Sequence, residues 1–257
     1  MEIKFDKKTV LLTGAAGGIG SEMARQFARD GAALALCDRK PPEALAREIR
    51  ETGGSAEAFG FDLTDPEDVK AGVKRIADAF GRIDILINNA GINVGPEERK
   101  TVETFSEEWW DAINKVDLDG TFHCTQAALA YMPEGSCIVN ISSIVGMVPL
   151  RNQCAFTAAK AGVINFTKAI AMELAPRGIR ANVICPGTVG LAITNRLWSA
   201  DDRMKALLAH IPMGRQGTPK DIADAAEFLS SGMASYITGA VLPVDGGWTC
   251  GGYARNF

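Results

Sequence analysis

The chain has 257 residues, 47% of them hydrophobic and 23% charged, with a formal net charge of −4. That is enough apolar material for one sizeable core, and Lys and Arg interspersed among acids read as a solvated surface rather than a basic nucleic-acid face. No run of about 18 apolar residues reaches membrane-span length, and residues 1–9 hold no apolar stretch of secretory-signal length, so a cytoplasmic protein without a membrane segment is expected.

Taken in chain order, short apolar runs alternate with helical patterns. Thr9–Thr13 reads as a strand and residues 21–30 as a helix. Residues 32–37 are strand-like again, and 42–51 helical. Further strands are expected at 56–61, 83–88, 137–141, 179–184 and 240–244. Asp65 followed by Pro66 is a helix-start signal. Repeated β-α units predict an α/β fold: a single-domain, Rossmann-like, doubly wound parallel sheet with helices on both faces. Residues 188–217 break the rhythm, and a long mixed stretch of this kind suits a substrate lid. Six cysteines (37, 124, 137, 154, 185 and 250) form no C-x-x-C pair, which predicts reduced thiols. Only two histidines, His123 and His210, are present, so no zinc or other metal site is expected.

Between the first strand and the first helix lies Thr13-Gly14-Ala15-Ala16-Gly17-Gly18-Ile19-Gly20. Glycine there permits a tight turn and lets backbone approach a pyrophosphate, which the following helix N-terminus attracts with free N–H groups and its positive dipole end. Asp38 ends the second strand. A carboxylate there accepts hydrogen bonds from both adenosine-ribose hydroxyls and repels a 2′-phosphate, which favours NAD over NADP. Arg39 beside it pulls the other way, because an arginine near this position can hold that phosphate.

Three downstream motifs join the glycine-rich turn: Asn88-Asn89-Ala90-Gly91, Asn140-Ile141-Ser142-Ser143 and Phe156-Thr157-Ala158-Ala159-Lys160. Together they resemble the short-chain dehydrogenase/reductase family over nearly the whole chain, through Val244-Asp245-Gly246-Gly247. The resemblance implies a nicotinamide-dependent oxidoreductase interconverting an alcohol and a ketone, commonly a homotetramer. It implies cofactor contacts from Gly14, Gly17, Gly18, Ile19, Gly20, Asp38 and Arg39, and from Asp62 and Leu63 near the adenine. Asn89, Ala90, Gly91, Lys160, Pro186, Gly187 and Val189 complete that set. Ser143 matches the family serine that orients the substrate oxygen, and Lys160 the family lysine.

The family signature is Tyr-x-x-x-Lys, and this chain has Phe156 where the resemblance places the proton-trading tyrosine. A second departure falls in Lys115-Val116-Asp117-Leu118-Asp119-Gly120, where Asp117 stands at the position of the relay asparagine. A third puts Leu191 where a threonine often binds the carboxamide, with Thr194 nearby. Phenylalanine keeps ring packing but neither donates nor accepts a proton. Positioned proton transfer typically contributes about 10²–10⁴-fold to rate. The remaining candidates for stabilising an alkoxide are Ser143, Lys160 acting directly, and a water held between Lys160 and Asp117. His210, in the lid, is of a residue type that titrates near neutral pH, although a packing role is the plainer reading. Three readings fit: a natural enzyme with a rewired relay, a non-catalytic NAD-binding homologue, and an engineered Tyr→Phe variant. Two departures in one relay favour the first.

For the substrate, the 144–155 loop supplies Arg151, Asn152 and Gln153, and Asn93 follows the Asn-Asn-Ala-Gly turn. Asn93, Ser143, Arg151 and Asn152 suit a small polyhydroxylated or carboxylated molecule such as a polyol, sugar or hydroxy acid. Helix capping or subunit contact is the alternative for these side chains. Trp198 would either cover a sugar face or pack. Apolar helix faces within 109–131 and 156–174 are expected at subunit interfaces, with Tyr253 and Phe257 in the tail ordered against a neighbour.

Overall fold

In the computed structural model, residues 3–191 and 201–251 are described, without the side chains of 201–203. Thr194, Trp198, Tyr253 and Phe257 lie outside the described residues. The sheet has seven parallel strands: β1 (Thr9–Thr13), β2 (Ala33–Asp38), β3 (Ser55–Gly60), β4 (Ile85–Asn88), β5 (Cys137–Ile141), β6 (Arg180–Pro186) and β7 (Val241–Val244). Their spatial order is β3-β2-β1-β4-β5-β6-β7, which reverses direction of growth between β1 and β4. In a doubly wound sheet the crevice at that reversal, beyond the strand C-termini, is where ligands bind.

The helices are α1 (Gly18–Arg29), α2 (Glu43–Glu51), α3 (Pro66–Phe80), α4 (Glu107–Asn114), α5 (Gly120–Ala128), α6 (Cys154–Leu174), α7 (Asp201–Leu208) and α8 (Pro219–Ser230). Asp65 caps α3 by accepting from the Glu67 and Asp68 amides, with Pro66 at the first helical position. The predicted start of α1 at residue 21 is corrected to Gly18, because Gly18 and Gly20 themselves adopt helical backbone. The central strands are buried on both faces: β1, β4 and β5 are buried throughout. Val10, Leu12, Phe27 and Leu34 belong to the core on one side, and Leu11, Val73, Ile76 and Leu86 to the core on the other. These runs are near-continuous Val, Ile and Leu because neither side of such a strand meets water.

Between α4 and α5 the helical run widens into a π turn, Lys115–Asp119. Single π turns inside helices concentrate at functional sites. The cysteines are all free among the described residues. Burial pushes the Cys124 thiol up to about 12, and those of Cys137 and Cys185 up to about 11, which keeps them inert near neutral pH. No described helix is long and apolar enough to cross a membrane.

The α1–α8 contact contains a buried carboxylate. Gln26 Nε2 donates to Asp224 Oδ1 and to Glu227 Oε2, both at 2.6 Å. Burial, and to a lesser degree the neighbouring Asp30, raise Glu227 to about 7. The ordinary carboxyl in an unfolded chain releases its proton near 4.3. The native state therefore holds more protons between these values, and this group's contribution to stability falls as pH rises through them. Glu227→Gln is expected to raise Tm at pH 8 by several degrees, for ~1–2 kcal/mol in a chain of this size, and to make little difference at pH 4. Thermal melts at the two pH values measure it, and equal effects at both would contradict it.

Candidate active site

Two chain turns meet at the sheet's point of reversal. Thr13 Oγ1 accepts from the Asn89 and Ala90 amides at 3.1 and 3.2 Å. Asn89 Nδ2 donates to the Thr13 and Gly14 carbonyls, each at 3.1 Å. A Cβ on Gly14 would stand 2.7 Å from Ala90 Cα, and Gly14 has φ of +64°. Glycine at 14 is thus required twice, for conformation and for space. Asn89, expected at the cofactor, faces the cavity described below, and its side chain also ties the glycine-rich turn to the end of β4.

A cavity of about 790 Å³ opens over these turns. Gly14, Gly17, Gly18, Ile19 and Gly20 line one wall, Asp38, Arg39, Asp62 and Leu63 another, and Asn89, Ala90 and Gly91 the floor. Its volume lies in the range of cofactor sites. Asp38 Oδ2 accepts from the Ala16 amide at 3.1 Å and Oδ1 from the Arg39 amide at 2.8 Å. Each oxygen keeps a further lone pair for a hydroxyl. Asp62 accepts from the Thr64 amide and hydroxyl, which hold its carboxyl below the usual range. A glycine-lined cradle at a helix N-terminus, flanked by a strand-end carboxylate, fits a dinucleotide.

Pro186, Gly187 and Val189 do not line this cavity. The Gly187 amide donates to the Val244 carbonyl at 2.9 Å. Val189 is buried and bridges to Gly217. Leu191 packs over the glycine-rich turn, where a side chain on Gly18 would collide with its Cδ2.

The residues expected to carry the reaction gather beside Gly91. Lys160 Nζ lies 3.0 Å from Asp117 Oδ2, and both side chains are almost wholly buried. Asp117 Oδ1 accepts from the Ile92 amide at 2.8 Å. Oδ2 has no well-aligned hydrogen bond, so its contact with the ammonium is an ion pair by distance and leaves a lone pair open. Burial raises the Asp117 carboxyl, against the pull of Lys160 and the Ile92 amide. A Cβ on Gly91 would meet both charged atoms at 3.0 Å. The π turn carries Asp117, whose carbonyl accepts from Thr121 Oγ1 at 2.8 Å. Lys160 Nζ also donates to the Ile141 carbonyl at 3.3 Å. The Phe156 ring, one helical turn earlier on α6, has its centroid 5.5 Å from Nζ, a cation–π separation. A separation of 3.0 Å leaves no room for a water between the paired atoms of Lys160 and Asp117. The water-bridged arrangement is therefore corrected to a direct pair.

Ser143 follows β5, half-buried, and its Oγ accepts from the Val145 amide at 3.4 Å. Asn93 donates from Nδ2 to Gln153 Oε1 at 3.1 Å, joining the chain after β4 to the start of α6. Asn152 is exposed with φ of +60°, a left-handed conformation that asparagine tolerates, and Arg151 is exposed beside it. His210 is exposed, its ring 6.0 Å from that of Trp248, and it is not brought to Lys160.

Fold and cleft together define a dinucleotide-binding α/β protein. Residues 14–249 match the enoyl-(acyl carrier protein) reductase family model. The chain is 36% identical to a 3-oxoacyl-[acyl-carrier-protein] reductase of Thermotoga maritima, over 95% of this chain and 99% of that one. It is 38% identical to cis-4-hydroxycyclohexanecarboxylate dehydrogenase of Sinomonas cyclohexanicum, over 95% and 98%. A crystal structure from Agrobacterium tumefaciens, proposed as a 2-deoxy-D-gluconate 3-dehydrogenase and holding NADP, superposes with a TM-score of 0.87 at 37% identity, covering 97% of this chain and 99% of that one. The chain belongs to the short-chain dehydrogenase/reductase family, a family of nicotinamide-dependent oxidoreductases.

Proposed function

We propose that this protein interconverts an alcohol and a ketone on a small polar substrate, such as a sugar acid or hydroxy acid, with NAD(H), through a rewired proton relay. The observation that carries the reading is the buried Lys160–Asp117 pair beside a ring that has no hydroxyl. Phe156 takes the tyrosine position, Asp117 the asparagine position, and Lys160 and Ser143 keep theirs. When bound, the nicotinamide supplies or accepts the hydride at the carbinol carbon. In reduction, the carbonyl π pair moves to oxygen and the Lys160 ammonium delivers the proton. Asp117, whose carboxyl burial raises, returns a proton to the amine from solvent. Ser143 Oγ hydrogen-bonds the reacting oxygen. Residues 188–217 act as the substrate lid.

The test is a stopped-flow assay of NADH oxidation and NAD reduction across polyols, sugar acids and cyclic hydroxy acids. Saturable turnover supports the reading. Tight cofactor binding without turnover of any substrate favours the non-catalytic homologue instead.

Asp38 supports NAD as the working cofactor, although the Agrobacterium relative holds NADP. A 2′-phosphate would have to sit against a carboxylate held in place by the Ala16 and Arg39 amides. Asp38→Ala removes that repulsion and leaves Arg39, so the ratio of NADH to NADPH affinity is expected to fall roughly 10-fold or more. Tighter binding of NADPH by the unmodified protein would sink the assignment. The apolar outer faces of α5 and α6, where Phe122 and Met172 are exposed, support a homotetramer. Light scattering at micromolar concentration measures it, and a monomeric mass contradicts it.

A further inference from the structure

We propose that Arg99 is the carboxylate receptor for this protein's substrate, which makes that substrate a small hydroxy or keto acid; the proposal deepens the function given above and rests on it. Arg99 lies just after a short 3₁₀ turn, Pro96–Glu98, in the segment that leaves β4. Both ends of that segment are fixed beside the reaction residues. Val94 is buried with Ile113, Ala155 and Ala159, and Phe105, Trp109 and Phe156 pack on the same cluster. Asn93 is bonded to Gln153 at the start of α6. The stretch carrying Arg99 therefore leaves from and returns to the apolar cluster that seats Phe156, one helical turn from Lys160.

The guanidinium is half-buried, and its Nε is enclosed with no hydrogen-bond partner. Among the described residues every other arginine that is not exposed has one. Arg25 pairs with Glu48. Arg180 donates to the Ile237 and Ser231 carbonyls. The nearest acid in sequence, Glu98, is taken by Lys100 at 3.2 Å. Burial lowers the Arg99 pKa and no anion offsets it. A desolvated, unpaired cation is costly, and natural structures keep such groups for a reason. The fork geometry of guanidinium matches a carboxylate with two parallel hydrogen bonds. The proposal requires that an acid seated there reach Lys160 with its carbinol oxygen.

The experiment uses the full chain saturated with NADH and two matched ligands, cyclohexanecarboxylate and the uncharged cyclohexanemethanol, titrated by calorimetry. The unmodified protein is expected to bind the acid at least 10-fold more tightly than the alcohol. Arg99→Ala should weaken the acid by about 10–100-fold and leave the alcohol unchanged, with Arg99→Lys between them. Unaltered NADH affinity and melting temperature show that the variants fold. Should Arg99→Ala fail to fold, the acid-to-alcohol ratio in Arg99→Lys decides. Equal binding of acid and alcohol by the unmodified protein, or acid binding that survives Arg99→Ala, overturns the proposal. Initial rates on gluconate and sorbitol separate the two levels. Arg99-dependent acid binding with no hydride transfer to or from any alcohol or ketone leaves the receptor standing and removes the dehydrogenase reading.

Discussion

Lys160→Met is expected to abolish turnover and to weaken NADH binding. The ammonium is the cation paired with Asp117 Oδ2, and it stands in a buried setting where charge is worth far more than in water. Methionine has similar length and no charge, so packing against the Phe156 ring survives while the proton source is lost. It also strands Asp117, whose burial already raises its carboxyl. An unpaired buried carboxylate will take up a proton, so the variant should be neutral at this point rather than negative. Loss of a positioned proton donor alone lowers kcat by about 10²–10⁴-fold. Rapid-quench or steady-state kinetics with the turned-over substrate measure it. Ordinary kinetics in Lys160→Met would place the chemistry elsewhere.

The second large effect comes from a pair of substitutions. Asp117→Asn keeps the shape that accepts from the Ile92 amide but removes the acid that recharges Lys160 in the proposed relay. Its kcat is expected to drop by about 10²-fold or more, and the limb of the pH–rate profile that reports this carboxyl should disappear. Because burial raises that carboxyl, the limb in the unmodified protein should lie above the usual carboxylate range. Phe156→Tyr should not raise kcat, since the relay no longer runs through that position and a phenol would compete for the ammonium. A gain of about 10²-fold in Phe156→Tyr, with Asp117→Asn neutral, would show that Phe156 merely disables an otherwise ordinary site.

Much of this could be read from the residues, for identifiable reasons. Buried parallel strands must be apolar on both sides, so β1 stands out as a Val-Leu-Leu run and β5 as one rich in Ile and Val, both with the predicted limits. The start of α1 could not be placed, because glycine is a poor helix former and reads as turn until the anchoring by Asn89 is seen. The closeness of Asp117 to Lys160 was implied by the family resemblance, but the direct ion pair depends on a π turn that leaves no mark in composition. Asn89 lines the cavity as the resemblance implies, but its bonds to Thr13 and Gly14, 76 and 75 residues away, could not be read from the sequence. Arg99 was missed outright. In Pro-Glu-Glu-Arg-Lys it reads as one more solvated charge, and only the folded chain shows its Nε shut off from water.

The widened turn at Lys115–Asp119 has a consequence for how this site can change. An α-helix advances about 100° per residue, so the spare residue there sets the rotational phase of everything from Gly120 onward relative to α4. Substitutions can alter the carboxylate but not that phase. Deleting one residue between 115 and 119 would restore regular winding and swing either Asp117 away from Lys160 or the packed face of α5 away from α3. Chain length at this point, and not only side-chain identity, therefore guards the pairing of acid and amine.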